Sequence, residues 1–284
     1  MSERRVWTEQ GSAVLTDAVE AYESTFAERL VAAYALGSLA HGGFSPHVSD
    51  VDLGLVISDP LLPSDHDAVQ AVADNVRRGA SALHDRLSVF WGTPSTLGGQ
   101  VVGGRFPPLD RLDLLEHGRL LTGDDVREVV SRPTRRELVV SGAEFALHYL
   151  SGDGAVEEIR RPDLLVTRGV RTLTRLVLMP VRLLFTAQTA RVGANAVSVA
   201  TFLTDDRAPG RELVAAAHEW RTAPPTETST VVALLRAGMV PLYLRFIDDH
   251  AGRLTRLGHG ELAQAFERWR ERLEYVPAPE ESPG

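Results

Sequence analysis

Strand-like patterning in this 284-residue chain is confined to the part before Pro133. Helix-like and strand-like stretches alternate up to that point. Residues 13–32 place Val14, Leu15, Val19, Tyr22, Phe26 and Leu30 near helical spacing with acids between them, which predicts a first long helix. AAYALGS then reads as a short buried strand stopping at Gly37, VDLGLVI as a second strand and RLSVFWG as a third. Between the second and third, Ser64 with Asp67 resembles a capping arrangement for a helix reaching about His84. A Gly- and Pro-rich loop from Thr93 to Pro108 follows. Beyond Pro133 come long Leu, Val, Ala and Arg segments with little alternation. Segregation of this kind predicts an α+β fold: a small mixed sheet with flanking helices over residues 1–131, a helical bundle over 132–276, and a disordered tail over 277–284.

Composition removes several chemistries. The sequence has no cysteine, so it has no disulfide, thiolate zinc site or cysteine nucleophile. It has no lysine either, so all 30 basic residues are Arg. A Walker-type phosphate loop and a Schiff-base mechanism both need a Lys and are excluded. A formal charge of −8 argues against an extended nucleic-acid surface, which gains affinity from clustered cations. No uninterrupted apolar run approaches the roughly 20 residues of a membrane span. The expectation is a soluble cytoplasmic protein, monomer or homodimer, that takes a small, locally recognised substrate.

The segment ALGSLAHGGFSPHVSDVDLGLV carries the chemistry. On an extended strand alternate side chains share a face, with Cα atoms roughly 6.5 to 7 Å apart. Asp50 and Asp52 can therefore converge on one divalent cation, with Val51 and Leu53 turned to the core. Gly37 has no Cβ to block a phosphate, and the Ser38 hydroxyl and nearby N–H groups can donate to its oxygens. The strand, the Gly-Ser turn and the paired acids together point to a metal–nucleotide site.

This segment resembles the signature of the polymerase-β-type nucleotidyltransferase superfamily: Gly-Ser, about a dozen residues, then Asp-x-Asp between apolar positions. It is most similar to the aminoglycoside nucleotidyltransferases that modify streptomycin and spectinomycin, through Gly42, Gly43, Pro46, Ser49 and Asp50. The resemblance implies Mg2+-dependent transfer of a nucleoside monophosphate, AMP from ATP, to a hydroxyl of a small polar acceptor, an antibiotic-resistance activity. It implies metal and catalytic roles for Asp50 and Asp52, and nucleotide binding by Gly37, Ser38, Ser49, Arg182 and Asn195. Arg182 is also marked by its surroundings, since LVLMPV and LLF flank it and a buried guanidinium needs an anion.

The chain departs from that pattern at two positions. Ser88 stands where the family has a third carboxylate, and serine cannot act as one at neutral pH. Asp85, Asp110 and Asp113 are the nearby acids, each read first as a surface or capping residue. Asn195 stands where the resemblance expects a phosphate-contacting Lys, with Arg191 close by to compensate. Arg168, Arg171 and Arg175 share a helical face and read as solvated. Glu116 and His117 read as interdomain contacts before acceptor contacts. His41 and His47 read as loop residues near the triphosphate, with no metal-binding spacing to join them to His84. Trp91, Trp220 and Trp269 read as core residues.

Three functions remain open on the sequence. One is a small-molecule adenylyltransferase, the second an adenylyltransferase acting on protein or RNA, and the third a degenerate nucleotide-binding module without catalysis.

Overall fold

A computed structural model describes residues 3–275. The tail expected over 277–284 lies outside the described residues. Four strands form one mixed sheet in the order β3-β2-β1-β4. β1 (Leu30–Leu36) and β2 (Val51–Ile57) are antiparallel, β2 and β3 (Leu87–Gly92) parallel, and β4 (Arg119–Gly123) closes the other edge antiparallel to β1.

Alternation along the strands assigns the faces. Val51, Leu53, Leu55 and Ile57 of β2, with Ala33 and Ala35 of β1, pack against α1 (Glu3–Phe26) and α3 (Asp65–Arg77). The opposite face holds Tyr34, Leu36 and Val56 under α4 (Pro94–Leu97) and α5 (Pro108–His117). Asp52, between Val51 and Leu53, belongs to this second face. Five-residue α2 (Gly37–His41) leaves β1 directly, and a loop returns the chain to β2.

Three local expectations are corrected. The first helix spans Glu3–Phe26 and not 13–32, because Ala27 takes a positive φ and Arg29 turns to pair with buried Asp65 at 2.7 Å, so Leu30 starts β1. α3 stops at Arg77, and Gly79 lies so close to the His84 ring that a Cβ there would overlap it. Ser64 precedes α3 without a capping bond, while Asp65 accepts the Leu62 N–H at 2.8 Å. β4 is an additional strand: Leu120 and Leu121 are both exposed on this edge, so its sequence shows no inside–outside alternation and only pairing with β1 defines it.

The remaining elements are helices: α6 (Arg135–Leu150), α7 (Asp153–Arg160), α8 (Pro162–Thr167), α9 (Gly169–Thr189), α10 (Asn195–Leu203), α11 (Arg211–Glu219), α12 (Thr228–Arg256) and α13 (Gly260–Glu274). Thr134 opens α6 with a reciprocal capping box to Glu137. Their shared core runs from Val139 to Leu273 and includes Leu176, Leu242, Tyr243, Phe246, Phe266 and Trp269, whereas the two cores around the sheet end at Val130. Each fully buried large apolar side chain there contributes about 1.5–3 kcal/mol. α12 matches a membrane span by length and composition, with mean hydropathy 1.5 over 18 residues; Leu235, Met239, Leu242, Phe246 and Ile247 on it are buried in this helical core. Trp91, Trp220 and Trp269 are buried, as expected.

Candidate nucleotide site between the sheet and the helices

One cavity of about 110 Å³ lies between the C-terminal end of β1, the start of β2 and helices α9 and α10. Gly37, Ser38, Ser49, Asp50, Asp52, Arg182 and Asn195 all line it. His41, Val48, Thr174, Arg175, Leu178, Met179 and Arg221 complete the wall.

The acidic side comes from the sheet half. Asp52 pairs across the sheet with Leu36 on β1 and Ser88 on β3. Gly37 takes φ +60, and a Cβ on it would overlap Asp52 Oδ2, so only glycine lets the turn sit against this carboxylate. Burial, then Asp50 and Asp113, pushes the Asp52 carboxyl up to about 7, opposed by Arg182 and Arg105. Asp110 of α5 is pushed up to about 8 by burial, Asp52 and Asp113. Asp113 is buried rather than a surface residue: its Oδ2 accepts the Gly37 N–H at 2.6 Å, and its Oδ1 has no hydrogen-bond partner. The Gly37 N–H expected to face a phosphate is therefore held by Asp113. Ser88 does stand beside Asp52 in the strand register, so β3 supplies no carboxylate there, and α5 brings Asp110 and Asp113 to the neighbourhood instead. Asp85 is exposed in the turn before β3.

The basic side comes from the helical half. Arg182 of α9 donates through Nε to the Gly193 carbonyl at 2.6 Å. Asn195 is the first residue of α10. Arg171 corrects the solvated-face reading of its helix, because it crosses the cleft and pairs with Asp50 Oδ1. Arg175 is exposed yet lines the cavity, and Arg168 pairs with Glu158 at 3.2 Å on the surface. Arg191 is exposed and outside the cavity wall. Arg221, which no local pattern marked, reaches in from the α11–α12 connection. Its Nη2 donates to the Gly43 carbonyl at 2.9 Å and lies 3.4 Å from Ser49 Oγ.

The remaining polar candidates are placed plainly. Glu116 accepts the Val192 N–H at 3.0 Å and pairs with Arg132 at 3.1 Å, so it joins α5 to the connection after α9. His117 meets His41 edge-on at 5.4 Å, and burial holds the His41 imidazole below its usual range. His47 packs on Trp7 and lies outside the cavity wall. His84 bonds Asp17 at 2.9 Å and Ser81, a structural role.

Among the described residues no group of three or more carboxylates or histidines surrounds one point. A hard divalent cation such as magnesium does not need such a cage, since it takes one or two carboxylates and completes its octahedron with waters and phosphate oxygens. The crowded acids, with Asp52 pushed up by burial and then by Asp50 and Asp113, supply oxygen donors of the right chemistry and an electrostatic reason for a cation. Asp50 and Asp52 fit that role as a pair.

No family model and no curated protein matches the sequence. A solved structure does match the fold: the spectinomycin adenyltransferase AAD(9) of Enterococcus faecialis, crystallised with ATP and spectinomycin. It has a TM-score of 0.55 and 11% identity, and the match covers 79% of this chain and 97% of that one. The chain therefore shares its overall fold with that protein.

Proposed function

We propose that this protein is an adenylyltransferase that moves AMP from Mg-ATP to a hydroxyl of a small polar acceptor, an aminoglycoside-like molecule being the first class to test. The observation that carries the proposal is the convergence of Gly37, Ser38, Ser49, Asp50, Asp52, Arg182 and Asn195 on one cavity. The fold it shares with an adenyltransferase solved with ATP and spectinomycin supports the same reading. In this reading the two cores are two domains meeting near residue 131, and the substrates bind between them.

Asp50 and Asp52 would hold magnesium, which neutralises the triphosphate and stabilises the pyrophosphate leaving group. The acceptor hydroxyl attacks the α-phosphorus in line, the bond to the bridging oxygen breaks, and pyrophosphate departs. This chain contributes position and charge: Gly37 keeps the turn tight against Asp52, Ser38 offers a hydroxyl to phosphate oxygens, and Arg182 faces them from α9. Asp110 of α5, which acts on Asp52 from outside the cavity wall, would take the acceptor proton in its charged form, a form that a cation held by Asp50 and Asp52 would favour.

The direct test is pyrophosphate release from Mg-ATP across a panel of aminoglycosides and aminocyclitols. Release with at least one acceptor, lost in Asp52→Asn, is expected; turnover unchanged in Asp52→Asn rejects the assignment. Ser88 beside Asp52 favours one alternative, a module that binds nucleotide without turning it over. Tight Mg-ATP binding by calorimetry, with no pyrophosphate from any acceptor, selects that alternative.

A further inference from the structure

Arg221 is a half-buried guanidinium with no carboxylate to balance it among the described residues. Its Nη2 contacts are the Gly43 carbonyl at 2.9 Å and Ser49 Oγ at 3.4 Å, both neutral. Its own carbonyl accepts the buried Ser45 hydroxyl, so both ends of the residue are tied to the loop after α2 and the charged head is fixed in place. Other arginines of comparable exposure find acids: Arg29 meets Asp65 and Arg253 meets Asp249, each at 2.7 Å. Arg182 shares the cavity, but it acts across it on Asp52 and Asp110, which partly offset its charge. For Arg221 the neighbouring charge is Arg182 itself; burial and that repulsion together bring Arg221 down to about 10.

Burying a cation beside a second cation costs free energy unless an anion joins them. The cavity provides the room, and the N-terminal end of nine-residue α10 opens onto it with a neutral residue, Asn195. The planar fork of a guanidinium matches two oxygens of a phosphate. We infer that Arg221 is a phosphate-chain ligand, gripping with Arg182 the polyphosphate of the bound nucleotide and of the pyrophosphate that leaves. The nucleotide is taken from the function proposed above, but the anion site stands on the arginines alone.

Titration calorimetry on the full chain with pyrophosphate, Mg-ATP and AMP tests this, with urea midpoints measured alongside. Arg221→Gln is expected to weaken pyrophosphate and Mg-ATP by about 10–100-fold, the usual weight of a charge-assisted contact, and AMP by less than about threefold. Arg221→Lys should fall between wild type and Gln. Asn195→Lys placed in the Arg221→Gln background should restore about tenfold of the pyrophosphate affinity, because it returns a cation to the same wall. Pyrophosphate binding that is unchanged in Arg221→Gln overturns the inference. So does an equal loss for AMP and pyrophosphate with a lowered urea midpoint, which marks a loop anchor only. A wild type that binds neither Mg-ATP nor pyrophosphate also overturns it. A wild type that binds pyrophosphate through Arg221 yet transfers AMP to no acceptor upholds this inference and removes the transferase.

Discussion

The two halves of the molecule meet at the cavity with opposite electrostatic problems. The sheet half crowds Asp50, Asp52, Asp110 and Asp113 together, so that Asp52 and Asp110 are held well above ordinary carboxylates. The helical half presents Arg175, Arg182 and Arg221 to the same space. The two walls offset one another in part, through Arg171 on Asp50 and Arg182 across from Asp52 and Asp110. The metal-bound polyphosphate of the proposed function would complement both walls at once.

Replacing the central acid tests that division most severely. Asp52→Asn is expected to lower transfer by about 10³-fold, since it removes electrostatic stabilisation at the reacting phosphate. The same change removes a crowded carboxylate, so the metal-free variant should melt no lower than wild type. A parallel loss of activity and melting temperature would show that Asp52 is structural, and the comparison of the halves would fail at its first element.

The halves also respond to pH in opposite directions. His250 of α12 is 1% exposed, stacks on Phe266 and touches the Phe246 ring, and burial brings its imidazole down to about 4. Of the charged groups that act on it, Asp249 raises that value and Arg253 lowers it. A histidine whose folded value is depressed contributes fully above its unfolded value of about 6.5, and the contribution is lost as pH falls towards 4. The loss amounts to about 3 kcal/mol. Asp52 and Asp110 have folded values raised above the unfolded carboxylate, so the metal-free sheet half gains stability as pH falls from about 8 towards that carboxylate range. Urea midpoints with chelator present, taken from pH 8 to 4, should rise more steeply on acidification in His250→Phe than in wild type, because only wild type carries the opposing His250 loss. An identical acid slope in His250→Phe would assign the loss elsewhere.

How far these features could be read beforehand depends on their range along the chain. That Gly37, Ser38, Asp50 and Asp52 come to one cavity was legible because they sit at the adjoining ends of β1 and β2, which the apolar runs mark out. β1, β2 and β3 were legible because they carry dense apolar runs, and β4 was not, because both leucines of its exposed edge face solvent. Arg171 and Arg221 were missed for a different reason. Arg171 closes on Asp50 across 121 residues and Arg221 on Gly43 across 178, distances over which local periodicity carries no information. The periodicity placed Arg171 correctly on the polar stripe of its helix; at Arg171 that stripe meets Asp50 of the sheet half. Asp110 was only a secondary candidate to stand in for the strand acid, because the irregular chain from Gly98 to Pro107 decides where α5 lands.

Asp110 sharpens the comparison by asking whether the missing strand acid has moved to a helix. Asp110→Asn should lower turnover by about 10²-fold, the ordinary weight of a general base, while Mg-ATP affinity stays within about threefold. Ser88→Glu added to that variant returns a carboxylate to β3 beside Asp52 and should recover part of the rate. A lost nucleotide affinity in Asp110→Asn, with no rescue by Ser88→Glu, would move Asp110 from the acceptor side to the metal side.

The smallest expected effect concerns the Arg171–Asp50 ion pair. Arg171 and Asp50 are each about two-fifths exposed, so their pair contributes only about 0.5 kcal/mol. Yet it ties up Asp50, an acid of the proposed metal pair that lines the cavity, and that cavity, at about 110 Å³, is smaller than the 300–1,000 Å³ typical of ligand sites. On the proposed function, metal and nucleotide compete with Arg171 for Asp50 and widen the cleft. Arg171→Gln is expected to tighten Mg-ATP binding about 2–3-fold and to speed its association, with the melting temperature of the ligand-free protein little changed. Stopped-flow measurement of association separates the two roles Arg171 can have. Slower association and weaker binding would make it a third phosphate-facing arginine of the helical half, whereas faster association makes it the latch through which the two charged walls hold one another until the nucleotide replaces both partners.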